Sequence, residues 1–499
     1  MSSLSVLPRA VIELLPHIQA EPPIWLVGGA VRDHLLARET QDYDFAVAGD
    51  ALSLARRIAD VLRGFYYDLD RERGIGRVIL VPADGVRRTF DFARLRGATI
   101  EDDLRGRDFT ANALAVDLST SSKWIDPLGG AGDIKNRILQ PCSSQAILDD
   151  PVRALRAVRL SVELGFAMSD ETKCQVRLAK EAIDSISPER VRDEVMLLLD
   201  MNQPGSGLRL LDHLGITPFV FIEVDNLRDT KLPAPHEYSG VEHTFAVVDR
   251  LGELLSVLRP IHDTEASGNL IMAQASLRLG RFREQISEHL NRALSQGRRA
   301  QQLLYLAALY HATGASVVEG RAKEMNRDSE KQDSFSADLV KARAQALRLS
   351  NAEIELAAQI VRHRHRFERM ERNQPATPRS IYRFFRVTRN AGVEIVLLAL
   401  ADFLGTFATP APQDAWESHV ELGKLLLKAV FTEKDSLLNP PTLLSGSELM
   451  QDLGLDPGPE VGKLLEAIRE AQAAGEVVSR EQALEFARKA ATDKRSDPA

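Results

Sequence analysis

The stretch "LVGGAVRDHLLARETQDYDFAV", residues 26–47, contains the pattern that decides the fold of the first part of the chain. Its apolar start ends at Gly28-Gly29, a segment with helical spacing follows, and "DYDFAV" then alternates acidic with aromatic or apolar residues. Alternation with a period of two is typical of a half-buried strand. The stretch therefore predicts a strand, a glycine turn, a helix and a second strand.

Two acidic residues of the second strand, Asp42 and Asp44, lie at positions i and i+2 and should point to the same face. Carboxylates held that close raise each other's pKa unless they share a cation. Mg²⁺ prefers carboxylate oxygens and substrate phosphates as ligands. We predict that Asp42 and Asp44 are catalytic Mg²⁺ ligands, and the alternative is an exposed strand that carries two unrelated acids.

The glycine turn before the predicted helix is a candidate phosphate site. Gly28-Gly29 closes a strand directly before the helix, so that backbone N–H groups can approach a phosphate, and Arg32 follows on the first helical turn. A lone Gly-Gly pair is weak evidence. In combination with the Asp-x-Asp strand, the pattern predicts that Gly28, Gly29 and Arg32 bind a nucleotide.

Composition limits the class of protein. With 499 residues, the chain should form two to four domains, and its net charge of −8 leaves room for a local basic groove but not for a wholly basic surface. The 2 cysteines suggest neither a disulfide framework nor a zinc site, and they fit a reducing compartment. No apolar run approaches the roughly 18 residues of a membrane span, and no signal peptide is evident. We expect a cytoplasmic protein.

The order of elements predicts an α/β head followed by an all-α remainder. "IWLV", "GRVILVPA" and "RRTFDFARL" read as strands, and "ALSLARRIADVLRG" reads as a helix that ends at a glycine cap. From about Ser143 onward the patterns are helical, as in "DDPVRALRAVRLSVELGF" and "SPERVRDEVMLLLD". Residues 319–337 are almost wholly polar and predict an exposed loop.

One helical pattern contains acidic and basic side chains that could form hydrogen bonds with a nucleotide base. Asp150, Arg153, Arg156 and Arg159 recur every three residues and would form one ridge of a helix. Asp accepts hydrogen bonds from an exocyclic amine and Arg donates to a ring nitrogen. Cytosine and adenine present an exocyclic amine beside an acceptor ring nitrogen on their pairing edge. Uracil and guanine present a carbonyl beside an N–H instead. Asp150 and Arg153 would therefore select C and A, and the alternative is an amphipathic helix with a solvated polar stripe.

These motifs together resemble a known family. "LVGGAVRDHLL" with "DYDFAV" resembles the first signature of the class II tRNA nucleotidyltransferase/poly(A) polymerase family, within the polymerase-β-type nucleotidyltransferases. "EDDLRGRDFTANALAVDL", "IDPLGGAGDIKNRIL", "DDPVRALRAVRLSVELGF" and "SPERVRDEV" resemble its later motifs, in the same order. One departure is Gly106, where the family usually has arginine, but the neighbouring Arg107 is retained.

The resemblance implies fold and function together. It implies a polymerase-β-type head and an enzyme that adds C and A (CCA) to the 3′ end of tRNA from CTP and ATP, with Mg²⁺, and releases pyrophosphate. It also implies nucleotide contacts for Arg107, Arg156 and Arg159. The predicted domains are a nucleotidyltransferase head at 1–142, a helical neck at 143–232, a degenerate HD-like domain at 233–372 and a C-terminal RNA-binding region at 373–499.

The HD-like resemblance rests on "PHEYSGVEHTFAVVDRL", "LLYLAALYHATG" and "IVRHRHRF". An active HD site needs a His-Asp pair, but this chain has His311-Ala312. We expect His236, His243, His311 and His363 to gather as buried remnants without phosphohydrolase activity. "DPGPEVG", near the C-terminus, predicts either a turn that meets an RNA phosphate or a plain helix–turn–helix packing unit.

Several alternatives stay open at this level. Only "ATI" separates the strand "TFDFARLRG" from the second motif, and family members with a short connection there include enzymes limited to CC. CC-only or A-only addition, poly(A) addition, an HD phosphohydrolase and a purely RNA-binding role are the other readings. Asp91 is a candidate third acid near the metal or a structural residue, and Asp126 reads as a loop or cap residue.

Overall fold

The computed structural model describes residues 7–18, 23–82, 85–118, 124–261, 269–295, 297–319, 329–373, 375–408 and 410–495. The chain forms two compact units. The first comprises Met1–Glu194 with Leu210–Phe219, and the second comprises Val195–Arg209 with Val220–Ala499.

A mixed seven-stranded sheet forms the centre of the first unit, with the strand order β3-β4-β5-β2-β1-β6-β7. Its strands are β1 (Ile24–Val27), β2 (Asp42–Val47), β3 (Phe65–Asp70), β4 (Ile75–Leu80), β5 (Arg88–Arg94), β6 (Ala115–Asp117) and β7 (Trp124–Ile125). β2 lies between β1, which is antiparallel to it, and β5, which is parallel. The other neighbouring pairs are antiparallel.

Aromatic side chains fix β2 against β5 on the buried face of the sheet. The ring centroids of Tyr43 and Phe90 are 5.2 Å apart, and those of Phe45 and Phe92 are 4.8 Å apart, both pairs stacked. Such cross-strand aromatic pairs stabilise a sheet and hold its register. Because side chains alternate along a strand, the residues between these aromatics project to the opposite, accessible face.

Short helices surround the sheet, and longer ones follow it. Through residue 220 the helices are α1 (Arg9–Ile18), α2 (Gly29–Leu35), α3 (Ala51–Leu62), α4 (Ile100–Arg105), α5 (Gly130–Asn136), α6 (Ala146–Asp149), α7 (Val152–Leu164), α8 (Asp170–Ala179), α9 (Pro188–Leu199), α10 (Pro204–His213) and α11 (Thr217–Val220). β8 (Ile138–Leu139) and β9 (Ala167–Met168) form a parallel pair.

The second unit is helical. Its helices beyond residue 220 are α12 (Ile222–Asp225), α13 (Gly240–Val257), α14 (Leu270–Leu279), α15 (Arg283–Asn291), α16 (Ala300–Tyr310), α17 (Gly314–Glu319), α18 (Ser329–Ala346), α19 (Asn351–Arg362), α20 (His365–Arg372), α21 (Pro378–Thr388), α22 (Gly392–Gly405), α23 (Gln413–Phe431), α24 (Gly446–Leu453), α25 (Pro459–Ala473) and α26 (Arg480–Arg495). β10 (Ala293–Ser295) and β11 (Arg298–Arg299) form a small antiparallel pair. Residues from the last three helices share one apolar cluster around Leu449, Leu464 and Ala483.

The predicted α/β head followed by a helical remainder is confirmed, with local differences. The helix "ALSLARRIADVLRG" ends at Arg63, which takes the left-handed conformation (φ 53°), so the predicted glycine cap is wrong by one residue. Gly64 serves close packing instead, because a Cβ there would lie 2.4 Å from Leu80 Cδ2. β3 was not predicted from the sequence.

The polar stretch 319–337 is another difference. Residues 320–328 lie outside the described residues, but α18 begins at Ser329, so the predicted loop is wrong for the rest of the stretch. Asp333 is fully buried and accepts hydrogen bonds from the Arg364 guanidinium and the His365 backbone amide. A polar sequence is therefore compatible with a packed helix here, because buried ionic partners form hydrogen bonds with its polar groups.

Among the described residues, no helix combines the length and the apolar character that a membrane crossing requires.

Candidate active site

The structure places the carboxylates of Asp42 and Asp44 on the accessible face of β2. Both residues are exposed, whereas Tyr43 and Phe45, which alternate with them, are buried. The same-face arrangement that the sequence predicts is therefore present. The buried aromatic face anchors the strand, so that the acidic face is held rigidly.

Gly28 and Arg107 complete the immediate surroundings of Asp44. A Cβ on Gly28 would lie 2.9 Å from Arg107 Nη1, so a larger residue would displace this end of the guanidinium, and 3.6 Å from Asp44 Oδ2, which is an ordinary contact. The positive φ of Gly28, 76°, also favours glycine. The amide of Gly28 donates to the Leu114 carbonyl at 3.1 Å, so this N–H is not free for a phosphate as the sequence argument supposed.

Asp103 holds Arg107 in this position. The Arg107 Nε and Nη2 atoms donate to Asp103 Oδ2 at 3.1 and 3.0 Å, and the Asp103 side chain is buried. The remaining Nη1 of Arg107 points towards Gly28. A guanidinium thus lies beside the acidic pair without being a direct ion-pair partner of either acid.

The electrostatics around Asp44 suit a cation. Desolvation, only partly opposed by the Arg107 charge, and then repulsion from Asp91 and Asp42 raise the pKa of Asp44 to about 6. The carboxylate is accessible to solvent although protein atoms surround it densely. Grouped carboxylates with a raised pKa gain stability when a divalent cation binds. Asp42 and Asp44 therefore fit the donor set of a divalent metal.

Asp91 lies directly beside the pair, opposite Asp44 in the parallel register of β2 and β5. Its carboxylate accepts two hydrogen bonds from Arg77, at 2.8 and 2.7 Å. These contacts are compatible with both predictions for Asp91, a third acid near the metal and a structural residue. It adds negative charge to the site, and it also forms a bidentate ion pair across β4 and β5.

Arg32, predicted as a nucleotide contact, is buried and engaged with protein groups. Its Nη1 donates to Asn112 Oδ1 at 2.6 Å and its Nε donates to Asp33 Oδ1 at 2.9 Å. Asn112 in turn donates to Asp108 Oδ1 at 3.1 Å. The structure thus places Arg32 in a network beneath the glycine turn, with its donors directed at side chains.

Asp126 behaves as the predicted cap residue. Its two carboxylate oxygens accept from the backbone amides of Gly130 and Ala131, at 2.7 and 3.0 Å. These amides lie at the start of α5. Asp126 therefore fixes the third motif's loop.

Only part of the predicted ridge of Asp150, Arg153, Arg156 and Arg159 lies on a helix. α7 begins at Val152, so Asp150 lies before the helix in an extended conformation, and the prediction that it shares the ridge is wrong. Pro151 ends the preceding segment, because a residue before proline disfavours helical geometry. Asp150 Oδ2 accepts from Arg190 at 2.7 Å and lies 3.8 Å from Arg153 Nε.

Arg153 is clamped by backbone carbonyls. It donates to the carbonyls of Gly106 at 3.0 Å, Arg107 at 3.2 Å and Ala146 at 2.9 Å. These contacts connect α7 to the second motif of the head. The position of Arg153 is therefore set by the same loop that carries Arg107.

Arg156 and Arg159 bind carboxylates inside the first unit. Glu194 accepts from Arg156 Nη1 at 3.1 Å and from Arg159 Nε at 2.8 Å, and its side chain is buried. Arg156 also donates to Asp108 at 2.9 Å. Although burial opposes it, the Arg156 charge and the hydrogen bonds from Asn112 and the Phe109 amide lower the pKa of Asp108 to about 2.

A second cluster of ionisable groups lies in the second unit. The ligand atoms of His243, His311 and Asp402 all lie within 4.8 Å of one another, and all three residues are buried. The His236 ring packs on His243 with centroids 4.6 Å apart. His236, His243 and His311 therefore lie together as predicted, but only His243 and His311 are buried, whereas His236 is half-buried. The charged neighbours of His363 are instead Arg362, Arg366, His365 and Asp333.

Hydrogen bonds orient the two central rings. His243 Nδ1 lies 3.2 Å from the Gly405 carbonyl and His311 Nδ1 lies 2.7 Å from the Ala308 carbonyl, so each Nδ1 carries the proton in the neutral ring. The Nε2 atoms then face each other and Asp402 Oδ1 with lone pairs, an arrangement that a cation or a shared proton would stabilise. Arg364 already supplies one positive charge to the other oxygen of Asp402.

The sequence reading missed Asp402 and Arg364. The available signal was an acidic residue inside the apolar run "VEIVLLALADFLG", because a charge in a buried helix needs a partner. It also missed Asp108 and Asn112, which connect Arg32 to Arg156 through hydrogen bonds. Glu194, which joins Arg156 to Arg159, was missed as well. No local periodicity marks such long-range partners.

A mixed sheet that presents paired carboxylates beside a glycine turn defines the class of nucleotidyltransferase heads, and comparisons with known proteins agree. Residues 24–140 match the family described as "Poly A polymerase head domain", and residues 165–227 match "Probable RNA and SrmB- binding site of polymerase A". The chain is 32% identical to an A-adding tRNA nucleotidyltransferase of Deinococcus radiodurans, over 93% of this chain and 95% of that protein. It is 30% identical to a CC-adding tRNA nucleotidyltransferase of Geobacter sulfurreducens, over 93% and 90%.

Solved structures agree in fold. A CCA-adding enzyme in complex with ATP superposes with a TM-score of 0.63 at 19% identity, covering 98% of this chain and 97% of that one. A CCA-adding enzyme of Thermotoga maritima in complex with tRNA superposes with a TM-score of 0.59. The chain belongs to the tRNA nucleotidyltransferase/poly(A) polymerase family, as its motifs indicated, and it is a nucleotidyltransferase.

Proposed function

We propose that this enzyme adds C and A to the 3′ end of tRNA from CTP and ATP and releases pyrophosphate. The observation that carries the proposal is the accessible pair Asp42 and Asp44 beside Gly28 and the oriented guanidinium of Arg107. The relatives named above are tRNA nucleotidyltransferases, which supports tRNA as the acceptor. A cytoplasmic location stays a prediction.

Asp42 and Asp44 would hold Mg²⁺, and Asp91 adds negative charge beside them. When bound, Mg²⁺ activates the attacking hydroxyl and neutralises charge on the departing phosphate. The chain's own contribution is positioning. Asp103 orients Arg107 so that its free Nη1 can meet a phosphate oxygen, and Gly28 leaves space for that group.

Asp150 and Arg153 would choose the base, with an acceptor for the exocyclic amine and a donor for the ring nitrogen. Three backbone carbonyls hold Arg153, and Arg190 holds Asp150, so neither side chain needs to be ordered when the nucleotide binds. Preorganised groups lose less conformational entropy on binding. Uracil and guanine would leave these polar groups unpaired, which disfavours both bases.

Restricted addition is a second candidate, favoured by one structural feature and by the relatives. Only residues 95–99 connect the end of β5 to the start of α4. A short connection resists the shift that a larger purine would require. The two sequence relatives named above, each aligned over 93% of this chain, are a CC-adding and an A-adding enzyme.

One assay distinguishes these candidates. A tRNA lacking all three terminal nucleotides is incubated with CTP, with ATP or with both, and a tRNA ending in CC is incubated with ATP. Product lengths are read at single-nucleotide resolution, and a generic RNA serves as the control for poly(A) addition. Full CCA addition excludes the restricted candidate, growth by CC alone or by A alone supports it, and no addition to any tRNA contradicts the proposed function.

A further inference from the structure

A run of exposed apolar side chains lies on β3, the edge strand of the sheet in the first unit. Phe65 is 63% exposed and Tyr67 is 53% exposed, and Leu69 near the end of the strand is half exposed as well. Single exposed apolar residues are common on protein surfaces, but a contiguous group of them marks an interaction surface. Neither aromatic ring has a role in the site described above.

Phe65 and Tyr67 project to the accessible face of the sheet, which also carries the acidic pair. Tyr66, between them, lies on the opposite face, where the Arg56 guanidinium of α3 is 5.0 Å from its ring centroid. Alternate residues of a strand point to opposite faces. The two exposed rings therefore share a face with the site of nucleotide transfer.

One row of residues connects Tyr67 to the acidic pair. Tyr67 is opposite Arg77 of β4 in the strand register. Arg77 is opposite Asp91 of β5, and Asp91 is opposite Asp44 of β2. Side chains directly opposite each other lie on the same face of a sheet. Because β3 is three strand spacings of about 4.8 Å from β2, Tyr67 lies roughly 14 Å from Asp44 along this face.

This row is open to solvent. The side chains of Arg77 and Asp91 are partly exposed, and their ion pair neutralises both charges. The neighbouring row is closed, because Ile79 and Thr89, which are opposite each other, are buried. The accessible path from the acidic pair to the edge of the sheet therefore ends at Tyr67.

The groups that suit the nucleotide lie on the other side of β2. Gly28 follows β1, and Arg107 Nη1 points towards Gly28. Arg153 donates to the Arg107 carbonyl. Because β1 and β5 flank β2 on opposite sides, a nucleotide bound by these groups leaves the side of β5, β4 and β3 to the second substrate.

The geometry of phosphoryl transfer leads to the same assignment. The attacking and leaving oxygens lie roughly in line, on opposite sides of the phosphorus. A pyrophosphate that leaves towards Arg107 requires a hydroxyl that arrives from the side of β5. The acceptor strand would then run over Arg77 towards the edge of the sheet.

We propose that Tyr67, with Phe65 beside it, stacks on an unpaired base of the acceptor RNA, a few nucleotides behind the reacting 3′ end. The proposal rests on the proposed function, which supplies the acceptor. Aromatic side chains bind single-stranded RNA by stacking, and every base has a face that can stack. At about 3.4 Å for each stacked nucleotide, the path corresponds to about four positions, or fewer in an extended strand. Tyr67 is thus a positioning residue that holds the acceptor without reading its sequence.

The test uses the full chain and the tRNA that the wild type extends, either lacking all three terminal nucleotides or ending in CC. Tyr67→Ala, Tyr67→Phe and Phe65→Ala are compared with wild type. Val61→Ala is the matched control, because Val61 is 55% exposed but lies on α3. Steady-state kinetics give kcat, KM for the tRNA and KM for the nucleotide. A second set of acceptors carries one abasic nucleotide, placed in turn at each position near the 3′ end.

We expect Tyr67→Ala to raise KM for the tRNA roughly five- to tenfold, as for the loss of one stacked base, and Phe65→Ala to raise it less. The kcat, KM for the nucleotide and unfolding temperature should not change, because the rings are remote from the acidic pair. Tyr67→Phe and Val61→Ala should behave like wild type. On the acceptor that lacks the stacked base, wild type should show the raised KM, and Tyr67→Ala should raise it no further.

An unchanged KM for the tRNA in Tyr67→Ala, or a raised KM that persists on every abasic acceptor, would overturn the inference and leave the proposed function intact. Sedimentation of each variant tests another occupant of an exposed edge strand, a second copy of this chain. A wild-type dimer that dissociates in Tyr67→Ala would overturn the inference. If the wild type extends no tRNA, the proposed function fails, and the inference fails with it.

Discussion

At the scale of single residues, opposing electrostatic effects act on the carboxylate of Asp44. Its carboxylate is accessible, yet desolvation and neighbouring acids raise its pKa to about 6, so the pair with Asp42 is unfavourable without a cation. Arg107 is close enough to oppose part of this effect, but Asp103 binds most of its donors. The site is thus prepared for a divalent ion and is not neutralised by the protein itself.

Asp42→Ala and Asp44→Ala should each reduce nucleotide addition by at least about a thousandfold, because each removes a metal ligand from a reaction that depends on charge neutralisation. The measurement is incorporation of labelled CTP into tRNA with Mg²⁺ present. Far-ultraviolet circular dichroism should show an unchanged fold. Asp60→Ala, at an exposed position of α3, is the matched control. Near wild-type addition by either site variant would show that the metal assignment is wrong.

At the scale of elements, the start of α7 holds two different kinds of arginine. Arg153 is bound by backbone carbonyls of the second motif, whereas Arg156 and Arg159 share the buried Glu194 of α9. The first arrangement orients a donor, and the second neutralises charge between packed helices. The resemblance implied nucleotide contacts for Arg156 and Arg159, and this role remains a prediction.

Asp150→Ala and Arg153→Ala should relax base choice more than they weaken triphosphate binding. We expect incorporation of UTP and GTP to rise at least about tenfold relative to CTP and ATP, because the unmatched hydrogen-bonding groups that reject them are removed. Competition assays with all four nucleotides measure the ratio. Arg177→Ala, on the exposed face of α8, controls for loss of charge. Unchanged selectivity would contradict the proposed role of the pair.

Glu194→Ala should destabilise the first unit by about 3 kcal/mol, because Arg156 and Arg159 would lose a buried counter-charge. Urea unfolding measures the change. Glu189→Ala, which removes an exposed carboxylate from the same helix, should alter stability by less than about 0.5 kcal/mol. Equal effects of the two substitutions would indicate that the Glu194 network contributes little.

At the scale of the whole molecule, the second unit contains buried histidines, but His311 is not followed by the aspartate of an HD pair. His311 is followed by Ala312, and Arg364 binds the carboxylate of Asp402. Asp402 also lies beyond the predicted domain boundary at residue 372 and contacts histidines that lie before it. That boundary stays a prediction.

The chain should therefore neither open the ring of 2′,3′-cyclic nucleotides nor release phosphate from phosphomonoesters, with or without divalent metals. The reason is the missing aspartate after His311, which an active HD site requires. Formation of the ring-opened nucleotide and release of phosphate are each measured across a series of metals. Activity that disappears in His243→Ala or His311→Ala would contradict this prediction.

Stability should also depend on pH through His363. Desolvation and the nearby Arg366, His365 and Arg362 lower its pKa to about 4, so the unfolded chain, but not the folded one, takes up a proton below about pH 6.5. His363 is neutral in both states above about pH 6.5, so it does not affect stability there, and the free energy of unfolding decreases as the pH falls from 6.5 towards 4. Because the ring is partly exposed, we expect at most about 1 kcal/mol between pH 7 and 5.

Urea unfolding of wild type and His363→Gln at pH 7 and pH 5 measures this contribution. The wild-type protein should lose more stability than the variant on acidification. His17→Gln, at an exposed position, should behave like wild type. A larger loss in His363→Gln would reverse the sign of the argument.

Local sequence patterns determined the features that depend on periodicity. The alternation in "DYDFAV" fixed which side of β2 carries Asp42 and Asp44, since side chains alternate along any strand. The succession of strands and then helices indicated the head and the helical remainder. The same local rules failed where polar residues have buried partners, as at Asp333, and where a proline separates Asp150 from its helix.

Only the tertiary structure decided the features that join residues distant in sequence. Gly28, Asp44 and Arg107 meet because β1, β2 and the second motif are neighbours in the sheet region. Asp402 joins His243 and His311 across 159 and 91 positions, the differences of their residue numbers, and no pattern in either segment encodes that contact. Periodicity specifies which face of an element is buried, but the partner of that face is set by packing of the whole chain.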